Sequence, residues 1–223
     1  MSLLGFDTST AAVTACVLRE DGEAFEHLPP VERLLERPAH ASELLPAIEA
    51  VLRDARVDWP DVRAVAVGVG PGAFTGLRIG VATARALAHA RDVELRPVSS
   101  LAALAAGIDA PVRLVAIDAK RGELYAALYE GERELWEPFV ARPEELAERL
   151  REAPANPVAA GDGTLRFSEL LEAAGVKVAP RESPVHLVRA LHVCRLAAEA
   201  PAVPPEAVLP LYLRAPDAKP HAQ

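Results

Sequence analysis

Two aspartates are the residues best placed to do chemistry. Asp7 closes the apolar run Leu3-Leu4-Gly5-Phe6, and Asp118 closes Leu114-Val115-Ala116-Ile117 about half a chain later. A carboxylate at the end of a buried strand can hold magnesium against a nucleotide's phosphates. Thr8, Ser9, Gly161 and Gly163 complete the groups that such a nucleotide site would draw on. The same residues can equally end strands and start turns, because short polar side chains bond readily to nearby backbone. No further catalytic group is identifiable around either aspartate.

The second candidate is the block at 68–80, Gly-Val-Gly-Pro-Gly-Ala-Phe-Thr-Gly-Leu-Arg-Ile-Gly. It is not a P-loop, since no Gly-Lys-Ser/Thr follows to bring a lysine to the terminal phosphates. Gly68, Gly70 and Ala73 match G-x-G-x-x-A loosely, yet three strands precede the loop and no acid-terminated strand follows at the right distance, so a dinucleotide site is a poor fit. The glycines are assigned instead to turning and packing. Gly68, Gly70 and Gly72 around Pro71 suit a strand-to-helix elbow. Gly76, Gly80, Ala84 and Ala88 recur every fourth residue and make one bare helix face. Each glycine costs a helix roughly 1 kcal/mol relative to alanine, which predicts very close packing against that stripe. The preceding helix offers Leu44, Leu45, Ile48, Val51 and Leu52 at helical spacing. The stripe reads as a helix–helix contact, within the protein or with a partner. The two helices can pair with each other, and these nine residues are expected to form a partner interface as well, partly exposed in the free chain and covered there by homodimerisation.

Metal and redox chemistry find little support. The histidines His27, His40, His89, His186, His192 and His221 include no i, i+4 pair, and Cys16 and Cys194 stand far apart with no partner at metal-ligand spacing. His40 and Ser42 are expected to mark and cap a helix start. A net charge of −8 argues against a broad nucleic-acid-gripping face. There is no membrane-length apolar run and no basic region before the first short one, which predicts a cytoplasmic protein without a membrane partner.

Positioning these residues requires two similar units. Strand-like runs at 3–7, 12–18 and near 25 lead to a helix over 42–55, a strand over 64–69, the glycine helix to about 90 and a strand over 95–98. The order recurs with strands from 114, 124 and 135, a helix over 143–151, a strand over 158–160, a helix over 165–174, a strand over 176–178 and a helix over 185–198. Each half reads β-β-β-α-β-α-β, and the repetition points to an α/β fold of two actin-like (RNase-H-like, ASKHA) domains over 1–105 and 106–200. The Pro-rich tail over 201–223 is expected to return to the first domain.

The chain resembles the TsaB (YeaZ) family through six motifs: Gly-Phe-Asp-Thr-Ser at 5–9, His-Ala-Ser-Glu-Leu-Leu-Pro at 40–46, the glycine block, Ile-Asp-Ala-Lys-Arg-Gly-Glu-Leu-Tyr at 117–125, Gly-Asp-Gly at 161–163 and Pro-Leu-Tyr-Leu-Arg at 210–214. The resemblance implies a non-catalytic subunit that binds and activates TsaD while N6-threonylcarbamoyladenosine is made at position 37 of tRNAs reading ANN codons. TsaE and tRNA would be reached through that complex. It implies no required cofactor, and leaves room for ATP or ADP with magnesium at a subunit interface. The family's catalytic relatives carry a metal-binding His-x-x-x-His after the glycine helix; here Ser100 and Leu104 stand at those positions, and leucine cannot ligate a metal. The alternative is a stand-alone actin-like ATPase or small-molecule kinase using Asp7 and Asp118.

Overall fold

The computed structural model describes residues 2–214. The first half builds a five-stranded sheet from β1 (Ser2–Asp7), β2 (Thr14–Arg19), β3 (Ala24–His27), β4 (Val62–Gly68) and β5 (Glu94–Val98), in the order β3-β2-β1-β4-β5. The second uses β6 (Val112–Lys120), β7 (Glu123–Glu130), β8 (Arg133–Ala141), β9 (Val158–Ala160) and β10 (Lys177–Val178), in the order β8-β7-β6-β9-β10. The pairings match strand for strand: an antiparallel meander of three, then two parallel strands added beside the first. The duplication is thus a duplication of topology, with Asp7 and Asp118 at corresponding places.

Burial explains the strands. β4, Val-Arg-Ala-Val-Ala-Val-Gly, is buried almost throughout, as a parallel strand covered on both faces must be. On one face lie α1 (His40–Ala55) and α2 (Phe74–Arg91), with Leu44, Ala47, Ile48, Val51 and Leu52 of α1 and Val81, Ala84 and Ala88 of α2 in one core with Leu4, Phe6, Val65 and Val67. The second half has shorter counterparts: α4 (Pro143–Arg149), then α5 (Asp162–Arg166) and α6 (Ser168–Ala173). The single helix expected over 165–174 breaks at Phe167, whose backbone (φ −120°, ψ 28°) leaves the helical region.

The space between the sheets holds α3 (Ser100–Ala105) and α7 (Ala190–Glu199) in a core fed by both halves, including Leu3, Cys16 and Ala66 from the first sheet and Val115, Ile117 and Ala127 from the second. α7 belongs by sequence to the second half, yet it packs against the first sheet. Thr14 donates to the Val188 carbonyl at 2.7 Å. A Cβ on Gly5 would fall 2.4 Å from Cys194 Sγ. A boundary at residue 105/106 therefore separates the chain's halves without separating their packing. The helix expected over 185–198 begins at Ala190, because Pro184–His186 forms a tight turn and Leu187 and Val188 run buried behind it.

After α7 the chain crosses back to the first sheet. Val203 N–H donates to Leu95 O at 2.9 Å and Leu211 N–H to Val69 O at 2.7 Å. Arg214 then reaches Glu123 of the second half at 2.7 Å. The remainder of the tail, with His221, lies outside the described residues.

Candidate functional site

The aspartates do not share an open site. Asp7 is 1 % exposed. Its Oδ1 accepts from the Ser9 N–H (2.7 Å) and Ser9 hydroxyl (2.6 Å), and its Oδ2 from the Ser100 hydroxyl (2.7 Å). Burial raises its pKa against the pull of these donors. Backbone closes the remaining side: a Cβ on Gly68 would fall 1.8 Å from Oδ2. Thr8 is turned away, donating to Gly76 O at 2.8 Å.

Asp118 is satisfied by cations. It accepts from Lys120 N–H (2.8 Å), Lys120 Nζ (3.0 Å) and Arg166 Nη1 (2.7 Å). Burial alone would raise its pKa, but the Lys120 and Arg166 bonds outweigh burial and hold it below the usual carboxylate range. Asp162 accepts from Asp118 N–H at 3.0 Å, and burial pushes its carboxyl up to about 6. Gly161 and Gly163 are packing positions, since a Cβ would fall 2.1 Å from Ala116 O at the first and 2.6 Å from Leu124 Cδ2 at the second. The nucleotide set of Asp7, Thr8, Ser9, Asp118, Gly161 and Gly163 is thus dispersed, and of these Asp118 alone borders the cavity where the halves meet. Ser100 is committed to Asp7 and to the Gly70 N–H (3.1 Å), and Leu104 is buried in the inter-sheet core, so the residues at these two positions do not fit a metal.

The glycine stripe faces inward, contrary to the partly exposed interface expected for Gly76, Gly80, Ala84 and Ala88. A Cβ on Gly76 would fall 2.0 Å from Thr8 O and 2.8 Å from His40 Cε1, and one on Gly80 2.3 Å from Thr8 Oγ1. The glycines let α2 approach the turn after β1. Leu44, Ile48, Val51 and Leu52 are likewise in the core; Leu45, 52 % exposed, is the member of the set on the outer surface. Periodicity identified a packing face correctly and assigned it to the wrong neighbour, because a bare helix face fits a loop of its own domain as well as a foreign helix. The outward surface lies a quarter-turn round: Thr75, Ala82 and Ala86 exposed and Ile79, Thr83 and Leu87 half-buried on α2, with Leu45 and Pro46 on α1. The capping expectation also changes. α1 starts at His40, Ser42 donates its hydroxyl to Ala39 O (3.0 Å), and no side chain caps the helix.

Where the halves meet, a cavity of about 770 Å³ opens between the first turns of α1 and α2, the β6–β7 turn with Lys120 and Arg121, and the returning segment with Tyr212 and Arg214. Phe74 and Tyr212 stack at 5.1 Å between centroids; Arg78 lies 3.9 Å over the Phe74 ring and donates to the Tyr212 hydroxyl at 3.1 Å. Sequence reasoning gives no role to Phe74, Lys120, Arg121, Tyr212 or Arg214 of these walls. Their signal was in the motifs at 117–125 and 210–214, which distance along the chain keeps from looking like one site.

The architecture defines the class as a two-domain actin-like α/β protein. Among solved structures it is similar to YeaZ from Pseudomonas aeruginosa (TM-score 0.77, 32 % identity, covering 95 % of this chain and 100 % of that one). Likeness to the ethanolamine utilization protein EutJ from Carboxydothermus hydrogenoformans (TM-score 0.52, 13 % identity, 87 % and 89 % covered) concerns the fold alone. Residues 35–179 match the family described as TsaD, tRNA N6-adenosine threonylcarbamoyltransferase. The tRNA threonylcarbamoyladenosine biosynthesis protein TsaB of Escherichia coli is 32 % identical, covering 96 % of this chain and 95 % of its own length. An uncharacterized Mycobacterium tuberculosis protein is 37 % identical over 99 % and 95 %. Of a longer Mycobacterium leprae relative, 35 % identical, this chain spans 56 %. The chain belongs to the TsaB (YeaZ) family.

Proposed function

We propose that this chain is the subunit that binds and activates TsaD in formation of threonylcarbamoyladenosine on tRNA, without catalysing a step itself. The observation that carries this reading is near-full-length similarity to proteins named for that biosynthesis. The closed surroundings of Asp7 and the pairing of Asp118 with Lys120 and Arg166 favour it over a stand-alone ATPase or kinase, which would need the oxygens of these two carboxylates free for magnesium. TsaD docks on the outward faces of α1 and α2, where small Ala82 and Ala86 allow close helix approach and Leu45 and Ile79 supply apolar area. In its absence the same faces pair two copies of this chain. TsaE and tRNA join through TsaD in the cytoplasm, and this chain requires no cofactor for its role.

The test is co-purification with TsaD of the same organism and a tRNA-modification assay with and without this chain. Ala82→Glu, on an exposed position, is expected to leave the chain folded and cost at least 2 kcal/mol of association by desolvating a charge at the interface centre. Undiminished TsaD binding by a folded Ala82→Glu chain would remove α2 from the interface. Full modification without this chain would remove the proposal itself.

A further inference from the structure

We propose that Cys16 and Cys194 form a thiol–disulfide exchange site, oxidised by a small-molecule disulfide of the glutathione class to an internal disulfide that staples α7 to β2. They are the chain's two cysteines, 178 positions apart in sequence, and both are free and fully buried in the core between the sheets. The docking role of α1 and α2 uses neither.

Sheet register and a bare glycine bring the two sulfurs together. Gly5 of β1 stands directly opposite Cys16 of β2, so the two residues project to the same face of the sheet, with Cβ positions about 5 Å apart as in any such pair. A Cβ on Gly5 would fall 2.4 Å from Cys194 Sγ, which places that sulfur on the face to which Cys16 points. The missing side chain of Gly5 is therefore the opening that admits Cys194 beside Cys16. Cys194 Sγ lies 3.7 Å from the Cys16 carbonyl oxygen and 3.9 Å from that of Leu3. Burial, and after it the bond to the adjoining Cys16 thiol, raise the Cys194 pKa. Among the described residues no group of three or more His, Cys, Asp and Glu could hold a metal, so the two sulfurs are placed to bond each other rather than an ion.

In the exchange, the thiolate of one cysteine attacks a sulfur of the small disulfide, forming a mixed disulfide and releasing one small thiolate. The thiolate of the second cysteine then attacks the protein sulfur of that mixed disulfide and releases the other. Both cysteine protons end on the two released thiolates, so one disulfide is consumed, one is formed, and two electrons pass to the small molecule. Buried thiols are poor nucleophiles, so the folded chain exchanges slowly and the bond is made before α7 docks on the first sheet. Once made, it encloses residues 16–194 and ties the two halves at the helix from which the tail leaves for Val69 and Glu123. A pool rich in the reduced thiol leaves the pair open and an oxidised pool closes it.

The test uses the full chain and does not depend on the partner role. The chain is unfolded, refolded either with oxidised and reduced glutathione or in a reducing buffer, then unfolded again and treated with N-ethylmaleimide. The oxidatively refolded chain is expected to take no maleimide, and the reduced chain to take one on each cysteine. A non-reduced tryptic digest of the oxidised chain is expected to give segments 1–19 and 190–195 as one species that reduction separates. The linked monomer is expected to melt at least about 5 °C above the reduced chain, because a long enclosed loop restricts the unfolded state most. Cys194→Ala is expected to abolish this effect of the oxidant, and the digest keeps the test decisive if that variant fails to fold. The proposal is overturned by free thiols on both cysteines after oxidative refolding, by a disulfide that joins two chains, or by a linked monomer that melts no higher than the reduced chain.

Discussion

The first sheet supports helices of 16 and 18 residues where the second supports one of 7 and a broken pair of 5 and 6, although both sheets have the same strand order. The equivalent aspartates differ in parallel. Asp7 is wrapped by hydroxyls and glycine backbone, whereas Asp118 is paired with two half-exposed cations. The elbow after the fourth strand of each half presses on the first strand in both, against a carboxylate at Gly68 and against the Ala116 carbonyl at Gly161. A duplicated topology therefore fixes where close approach occurs but not what is approached. The first half spent its freedom on two long helices with one face inward and one outward; the second became a brace that closes the cavity with its β6–β7 turn.

The contrast is sharpest at the helical glycines. Gly76→Ala would set a Cβ 2.0 Å from a backbone oxygen of Thr8, which cannot yield without moving the turn after β1. Gly163→Ala would meet Leu124 Cδ2 at 2.6 Å, the end of a side chain that can rotate, and Ala116 O at 2.9 Å. Alanine gains roughly 1 kcal/mol of helix propensity at either place, so overpacking must exceed that to register. Gly76→Ala should lose about 3 kcal/mol or more and Gly163→Ala less than about 2, read from denaturant midpoints. Equal losses would mean that α2 is free to slide and the inward assignment of the stripe is wrong.

Ser100→Ala comes next. It strips a donor from Asp7 Oδ2 and an acceptor from the Gly70 N–H in one change, both in a buried setting. The expected loss is about 2 kcal/mol, the cost of leaving such groups unpaired. A loss below about 0.5 kcal/mol would show that water reaches Asp7, and would reopen it as a site.

Much of this was legible beforehand, for reasons that also mark the limit. The succession of strands and helices along the chain followed from apolar runs and turn residues because strands need only local alternation and punctuation, and the repeat of Asp7 in Asp118 was visible as a pattern, whereas the order of strands within each sheet came from the structure. The inward role of Gly76 and Gly80 was not, because bareness says that something is close without saying what. α3 escaped notice: its six residues are too short for periodicity to declare. The cavity was hidden by distance, since His40, Phe74, Lys120 and Tyr212 lie on four separated segments and no two share a motif. Sequence distance conceals a site most completely where a tail, here the segment ending at Arg214, supplies one wall.

The smallest effect tests the electrostatic side of the comparison. Lys120 and Arg166 side chains are 62 % and 49 % exposed, so solvent screens their pairing with Asp118, and Lys120→Gln or Arg166→Gln should each cost less than about 1 kcal/mol at neutral pH. The aspartates themselves should differ in sign. Asp118 has a lowered native pKa, so its ionised form stabilises the fold above the unfolded value near 3.8, and that contribution disappears as pH falls through the native value. Asp7 has a raised native pKa, so its contribution is complete below the same unfolded value and is lost as pH rises through the native one. The melting-temperature difference between wild type and Asp118→Asn should accordingly grow as pH is raised from about 3 to 5, while that between wild type and Asp7→Asn should shrink over a range beginning near the same pH. Two differences moving in the same direction would mean that the aspartates, equivalent in topology, are also equivalent in environment, and the division between a hydroxyl-wrapped first half and a cation-braced second half would fall.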